Sequence, residues 1–304
     1  DWIALTIMTD LLNTRKALRD ELDKDQQRCN TYINELPILA GTRLLAHTAM
    51  WRASDRSDAE HDLMLWKVRI LVLSFLATQS PDAELWFWVK AEADVVPTLS
   101  KLRLQGVAGS ERVKVLAFDS VDRTDGVLRK IPFDDIVAAN LNADMVAAVI
   151  DIVRYTLLFK YGGLWIDADN VVLRDLRPLQ KVSFAYECQG DFINNAVLGA
   201  DMNVSVFMSK VLHYIADNPQ LVNEHNFFKW GPSMMIGMEN RPFRILPCCF
   251  FDGGWCGYPA APTWESFFQN ASSGNAAYLA SEHGPFSYHW HNRWPMKIEA
   301  ASAF

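Results

Sequence analysis

The sequence lacks features that would place it in several common classes of protein. Its five cysteines include no CxxC pair, which argues against zinc ribbons and thioredoxin-like redox sites. Its longest apolar runs, such as residues 70–77, are well below the roughly 20 residues of a membrane-spanning helix. No block of Lys and Arg is interleaved with aromatic residues, and the net charge is −7, so nucleic acid is not an expected partner. We expect membrane association only through an anchor outside these residues.

The composition is that of a globular enzyme. Half of the 304 residues are hydrophobic and 21% are charged, which is enough apolar material for one large core. No Gly/Ser-rich or Pro-rich linker divides the chain. We therefore predict a single domain over residues 36–304, preceded by a charged helical extension over residues 1–35.

The cysteines and sequons bear on the cellular compartment. Cys248 or Cys249 could pair with Cys256 if the compartment is oxidising, and free buried thiols are the alternative. Asn203 and Asn270 begin glycosylation sequons. These features favour the Golgi lumen, with the cytoplasm as the alternative.

The first 120 residues alternate between apolar strand patterns and helical patterns. Strands are predicted within residues 42–51, 85–89 and 114–118, and helices over residues 63–78 and 95–104. Such alternation predicts a mostly parallel α/β sheet. Ligands of these sheets bind outside the carboxyl ends of the strands.

A nearly continuous apolar helix is predicted over residues 145–159, with Asp151 and Arg154 as its only charges. A helix that is apolar all round is buried, so these two side chains either form a structural ion pair or line a polar pocket. Gly162 and Gly163 end the helix, since glycine tolerates the left-handed conformation found there.

A strand with two acids follows the glycines. In residues 164–169, a period of two places Trp165, Asp167 and Asp169 on one face. Two neighbouring carboxylates repel each other unless a cation or protons compensate them, and Mn²⁺ or Mg²⁺ fits that need. The same spacing at Asp23 and Asp25 is interpreted as the solvated face of a charged helix.

The run from Asp151 to Asp169, which includes YGGLWIDAD, resembles the DXD signature of a family of sugar-transferases. The family includes Och1-like mannosyltransferases, α1,4-galactosyltransferase-like Golgi enzymes and capsular-polysaccharide transferases, and it is related to the clostridial glucosylating toxins. The resemblance implies a GT-A type, Rossmann-like nucleotide-sugar-binding fold. It also implies retaining transfer of a hexose or related sugar, with UDP-sugars favoured over GDP-sugars as donor. The expected acceptor is a hydroxyl of a glycan, glycolipid or protein.

The resemblance also implies roles for individual residues. Asp151 and Arg154 would contact the ribose, sugar and diphosphate of the donor. Asp167 would contact the sugar and ribose, or the metal through water, and Asp169 would ligate the metal directly. Trp165 stands where the family usually has Tyr, and its indole N–H can still donate a hydrogen bond.

The segment from Tyr288 to Trp294 resembles the terminal segment of the family. His289 and His291 share one face in strand geometry, so at least one could reach the metal or the diphosphate. Asn292 could bind phosphate or metal-bound water, and Trp290 or Trp294 could close the site over the donor.

Two further segments complete the expected site. Residues 192–200 resemble a strand with an Asn or Asp near the acceptor, which makes Asn195 a candidate. His47 and Trp51 stand where the resemblance places the nucleotide base, and Trp51 is the base-stacking candidate. The predicted roles are catalytic for Asp167, Arg154 and Asn195, donor-binding for Asp151, Arg154, Trp165, Asp167, Trp51 and Asn292, and metal-binding for Asp169, Asp167 and His289.

Two alternatives stay open on the sequence alone. A metal-dependent nucleotidyltransferase or nucleotide-sugar hydrolase would also use paired acids at phosphates. A non-catalytic scaffold could retain a decayed site.

Overall fold

The computed structural model describes residues 43–124, 126–139, 143–180, 182–188, 192–200, 206–218, 235, 242–255, 285–292, 294 and 296. The predicted extension over residues 1–35, with Asp23 and Asp25, lies outside these residues, as do Asn203, Asn270 and Cys256. Cys248 and Cys249 are both disulfide-bonded.

The core of the fold is a seven-stranded sheet with the strand order β3-β2-β1-β4-β7-β6-β8. The strands are β1 (Leu45–Ala49), β2 (Glu84–Val89), β3 (Val113–Ala117), β4 (Gly163–Ile166), β6 (Phe184–Cys188), β7 (Phe192–Ala200) and β8 (Arg244–Leu246). A separate antiparallel pair joins β5 (Asn170–Val172) to β9 (Ser287–His289).

Six of the seven strands run in one direction. Parallel pairs join β1 to β2, β2 to β3, β1 to β4 and β6 to β8, and β7 is antiparallel to both of its neighbours. The predicted Rossmann-like, mostly parallel α/β sheet is confirmed.

Helices cover both faces of the sheet. They are α1 (Asp58–Thr78), α2 (Val95–Leu102), α3 (Phe133–Ala139), α4 (Ala143–Tyr161) and α5 (Val206–Asp217). One core cluster includes Phe75 of α1 and Leu164 of β4, and the other includes Val153 of α4 and Trp165 of β4. Since neighbouring residues of a strand face opposite sides, the two clusters lie on opposite faces of the sheet.

Helix α1 begins five residues before the predicted start because of a capping box. Ser57 Oγ accepts a hydrogen bond from the Glu60 N–H at 3.3 Å, and the Glu60 carboxylate accepts one from the Ser57 N–H at 2.9 Å. This reciprocal pair satisfies two donors that the first turn leaves without partners. Among the helices in the described part of the chain, none combines the length and hydropathy of a bilayer span.

Candidate active site

The candidate site lies where β1 and β4 end side by side. These strands are parallel neighbours, and the strand order reverses between them, so a crevice opens at their carboxyl ends. Trp51 follows β1, and Asp167 and Asp169 follow β4. The sheet topology therefore brings the two predicted parts of the site together.

Two glycines make the turn from α4 into β4. Gly162 has φ +64° and donates its N–H to the Leu158 carbonyl at 3.0 Å, which ends the helix as predicted. Gly163 has φ +87°, and a Cβ there would lie 2.4 Å from the Leu45 carbonyl oxygen. Glycine at position 163 thus permits the close approach of β4 to β1.

His47 supports this turn from inside the fold. Its side chain is fully buried, Nε2 lies 3.1 Å from the Gly162 carbonyl oxygen, and Nδ1 accepts the Trp88 indole N–H at 3.1 Å. Because Nδ1 accepts a hydrogen bond, the proton resides on Nε2, and burial lowers the pKa of His47 to about 4. His47 is a neutral structural residue, so its predicted place at a nucleotide base is wrong.

The strand predicted over residues 164–169 is correct only up to Ile166, before the two acids. Strand β4 ends at Ile166, and the chain then turns, with the Asn170 N–H bonded to the Asp167 carbonyl at 3.1 Å. Trp165 is fully buried in the core rather than facing a ligand. Its indole N–H instead donates to Asp167 Oδ1 at 2.6 Å.

Asp151, Arg154 and Asp167 form a charge cluster in which the first two side chains are buried and Asp167 is partly exposed. Arg154 Nη2 lies 3.2 Å from Asp151 Oδ1 and 3.0 Å from Asp167 Oδ1. The Arg154 guanidinium also lies 5.2 Å from the centre of the Trp165 ring. Burial raises the pKa of Asp151 to about 7, against the attraction of Arg154, and burial also raises the pKa of Asp167. Arg154 thus supports Asp167 directly.

Asp169 is held by the C-terminal segment. His289 Nε2 lies 3.1 Å from Asp169 Oδ2, and the Asn292 backbone N–H donates to the same oxygen at 2.6 Å. Burial would raise the pKa of Asp169, but attraction to His289 and these hydrogen bonds hold it at about 2. Burial opposes protonation of His289, and the facing Asp169 nevertheless raises the pKa of His289 well above its usual value.

Register explains how His289 reaches Asp169 from the other end of the chain. In the β5–β9 pair, Asn170 lies opposite His289, and the Trp290 N–H donates to the Asp169 carbonyl at 3.0 Å. Trp290 is fully buried in the core, so its predicted role as a closing lid is wrong, while Trp294 lines the site. His291 has φ +52° and lies outside β9, yet its ring centre is 4.1 Å from that of His289.

Asn195 lies beneath the acids. Its side-chain amide donates to Asp151 Oδ1 at 2.8 Å and to the Tyr155 hydroxyl at 3.0 Å, and its carbonyl oxygen accepts from Arg154. It is not among the residues that line the cavity. The structure therefore places Asn195 as a support of Asp151 rather than in contact with a ligand.

A cavity of about 140 Å³ opens over these residues. Of the predicted site residues, its lining includes Trp51, Arg154, Asp167, Asp169 and Asn292. Trp51 also lines a neighbouring cavity of about 250 Å³ with Lys90, Phe118, Asp119 and Arg123. The buried Trp51 indole N–H has no hydrogen-bond acceptor among the described residues, so a bound molecule could provide one.

The donor atoms at this site suit a divalent ion. Ligand atoms of Asp167, Asp169 and His289 all lie within 4.8 Å of one another. The Trp165 indole N–H and the Arg154 guanidinium both contact Asp167 at Oδ1, and the Asp167 side chain is 22% exposed. The two carboxylates suit Mg²⁺ or Mn²⁺ and the imidazole suits a transition-metal ion, so the three groups together fit a divalent ion.

Sequence reasoning missed two charged residues near the site. Arg56 lines the cavity from the loop after β1. Asp252 is fully buried with Nε2 of His291 2.9 Å from its Oδ1. No local periodicity marks either residue, because Arg56 lies in a loop and Asp252 meets His291 from a distant part of the sequence.

Residues 67–185 match a family model described as a glycosyltransferase sugar-binding region containing a DXD motif. The matched segment is less than half of the chain and includes both predicted DXD acids. The match confirms the resemblance expected from these residues. No curated protein sequence matches the chain.

Solved structures of glycosyltransferases resemble the chain at low identity. PaToxG glycosyltransferase has 18% identity and a TM-score of 0.43, with 72% of this chain and 76% of that chain covered. Mouse xyloside xylosyltransferase 1 in its apo form has 14% identity and a TM-score of 0.45, covering 84% and 100%. Galactosyltransferase LgtC in complex with donor and acceptor sugar analogs has 13% identity and a TM-score of 0.39, covering 85% and 92%.

Proposed function

We propose that this protein, a glycosyltransferase with a DXD-containing sugar-binding region, uses a divalent metal to transfer a sugar from a nucleoside-diphosphate donor to a hydroxyl acceptor. The observation that carries the proposal is the meeting of Asp167, Asp169 and His289 at the carboxyl ends of β1 and β4. Their ligand atoms lie within 4.8 Å of one another, and both acids line the same cavity as Trp51.

Asp169 and His289 would hold the ion, with Asp167 as the third ligand or its partner through water. Bound there, Mn²⁺ or Mg²⁺ would neutralise charge that develops on the departing diphosphate. Arg154 and the Trp165 indole fix Asp167 through contacts of 3.0 and 2.6 Å. A carboxylate held in this way needs little rearrangement when the ligand arrives.

In this proposal, the two cavities that Trp51 lines would bind different parts of the donor. The acid-lined cavity would take the sugar and diphosphate, and the neighbouring cavity would take the nucleoside against Trp51 and Phe118. Arg56 and Asn292 border the acid-lined cavity, where Arg56 supplies a cation for phosphate. We favour a UDP-sugar as donor, retention at the anomeric carbon, and a glycan, glycolipid or protein as acceptor.

The binding step can be tested by calorimetry with UDP and GDP, each with and without Mn²⁺. The proposal expects UDP to bind only when Mn²⁺ is present, and more tightly than GDP. Equal binding of UDP in EDTA would contradict the metal requirement, and tighter binding of GDP would contradict the choice of base. The configuration of the released sugar, followed by proton NMR, tests retention.

We also infer that the enzyme works in an oxidising compartment, with the Golgi lumen favoured over the cytoplasm. The disulfide bonds of Cys248 and Cys249 support this, because disulfides persist mainly in secreted and lumenal proteins. Thiol labelling of the protein from its native source, denatured without reductant, should leave both cysteines unlabelled. Labelling of both would support the cytoplasm.

A further inference from the structure

His289 lies between two buried carboxylates, one at each ring nitrogen. Its Nε2 is 3.1 Å from Asp169 Oδ2, and its Nδ1 is 3.7 Å from Asp252 Oδ2. His289 is 6% exposed and Asp252 is fully buried. Only the first carboxylate lies in the DXD segment, so Asp252 has no role in the site described so far.

The backbone fixes Asp252 beside His289. The Asp252 N–H donates to the Cys248 carbonyl at 2.8 Å, and the Asp252 carbonyl accepts the Trp255 N–H at 3.1 Å. The His289 N–H donates to the Phe251 carbonyl at 3.1 Å. These bonds join the turn after β8 to β9, so the two side chains are held together by the fold itself.

A second histidine shares the Asp252 carboxylate. His291 Nε2 lies 2.9 Å from both Asp252 Oδ1 and Asp252 Oδ2. The His291 ring stacks between Trp255 at 4.3 Å and His289 at 4.1 Å between ring centres. The Tyr186 hydroxyl also lies 3.4 Å from His289 Nδ1. Asp252 therefore faces two imidazoles, those of His289 and His291.

We propose that Asp252 is a positioning residue that acts through His289: it keeps the proton on Nδ1 and presents Nε2 to the metal ion. The inference rests on the proposed metal site at Asp169 and His289. An imidazole that binds a metal through one nitrogen usually donates its other N–H to a carboxylate or carbonyl, which fixes the ring and the tautomer. Asp252 Oδ2 is a buried oxygen with no hydrogen-bond partner among the described residues, and it lies 3.7 Å from His289 Nδ1, where it would accept that N–H.

The test is the affinity for Mn²⁺, measured from the electron paramagnetic resonance of free Mn²⁺ in the presence of UDP. Asp252→Asn keeps the size of the side chain and should weaken Mn²⁺ binding at least tenfold, since loss of such a partner typically costs 10- to 100-fold in affinity. His291→Phe keeps the stacked ring and removes the competing nitrogen, so its affinity should stay within threefold of the parent. Tyr186→Phe should also stay within threefold.

A second measurement reads the ligand atom in the parent protein itself and uses a variant only to assign the signal. In the parent protein labelled with ¹⁵N-histidine, ¹¹³Cd²⁺ should couple to Nε2 of His289 while Nδ1 keeps its proton, with the signal assigned by its loss in His289→Gln. Coupling at Nδ1 would overturn the proposal. Two Mn²⁺ ions per parent molecule, with one lost in both Asp252→Asn and His291→Phe, would also overturn it and place a second ion at Asp252.

The outcomes separate this inference from the proposed function. A parent that binds no Mn²⁺ removes the metal site and both proposals with it. If the parent binds Mn²⁺ and the folded Asp252→Asn variant binds it with equal affinity, only the proposed role of Asp252 is contradicted.

Discussion

At the scale of single residues, each DXD acid has its own cation from the protein. Asp167 is paired with Arg154 at 3.0 Å and Asp169 with His289 at 3.1 Å. The repulsion expected from the spacing of the acids is therefore compensated without a metal. The two acids still differ, because Arg154 keeps its charge at all relevant pH values whereas His289 can lose its proton.

This difference predicts a pH dependence for metal binding. Metal coordination needs neutral imidazole, and the facing Asp169 holds the pKa of His289 well above its usual value, although burial opposes this. Mn²⁺ must displace a proton from His289, so affinity should rise with pH from 6 to 8. Titration calorimetry in two buffers of different ionisation enthalpy should detect about one proton released per ion. An affinity independent of pH, with no proton release, would show that His289 does not ligate the ion.

Asp151 predicts a second pH effect, on stability. Burial raises the pKa of Asp151 to about 7 in the folded protein, from 3.8 in the unfolded chain. Its contribution to stability is fully present below about pH 4 and is lost as pH rises to about 7. Asp151→Asn should remove this loss and raise the melting temperature at pH 8 by at least about 2 °C. A variant that melts lower than the parent at pH 8 would show that the ionised Asp151 stabilises the cluster.

Replacing Arg154 by lysine tests whether the positive charge alone is sufficient or whether the fork geometry of the guanidinium is needed. One guanidinium reaches Asp151, Asp167 and the Asn195 carbonyl together. The single ammonium of lysine does not reproduce this fork. Arg154→Lys should lower sugar transfer at least tenfold and also lower the melting temperature. Transfer at the parental rate in the folded variant would show that Asp167 needs no support from Arg154.

At the scale of elements, the site depends on how closely β4 approaches β1. A Cβ at Gly163 would lie 2.4 Å from the Leu45 carbonyl oxygen, and the φ of +87° adds backbone strain. Gly163→Ala should therefore destabilise the fold by at least roughly 3 kcal/mol, more than the cost of the left-handed conformation alone, which is about 1–2 kcal/mol.

Gly126 provides the matched control. It has φ +54°, but a Cβ there would meet nothing within 4 Å. Gly126→Ala should cost only the strain of about 1–2 kcal/mol in urea unfolding. Equal losses in the two variants would mean that contact with β1 does not constrain Gly163.

The described part of the C-terminal segment is packed into the fold. Strand β9 pairs with β5, and Tyr288 and Trp290 are fully buried. For Trp290, the expected closure over the donor is replaced by burial in the core. Strand β9 brings His289 to Asp169, and closure by Trp294, which lines the cavity, stays a prediction. The isolated pattern of His and Trp residues could not distinguish these cases, because burial of Trp290 depends on residues far away in the sequence.

At the scale of the whole molecule, the sequence predicted features formed by contiguous residues and missed contacts between residues that are far apart in the sequence. Helix α4, the two glycines and the acids are contiguous, so their pattern indicated both the fold class and the chemistry. Predicted elements such as β2 and α2 agree with the structure to within two residues at each end. His47 was placed wrongly because its partners, Gly162 and Trp88, come from other elements. Asp252 was missed for the same reason.

The most direct test of the account is the release of nucleoside diphosphate from a panel of UDP- and GDP-sugars by the parent and by Asp169→Asn. The variant keeps the size of the side chain and can still accept the Asn292 N–H, so it isolates the loss of the metal-binding charge. The account predicts release of UDP by the parent with Mn²⁺, none above background in EDTA, and less than about a hundredth of the parental rate in the folded variant. Equal rates in EDTA and Mn²⁺, or an active Asp169→Asn, would contradict a metal-dependent glycosyltransferase at this site.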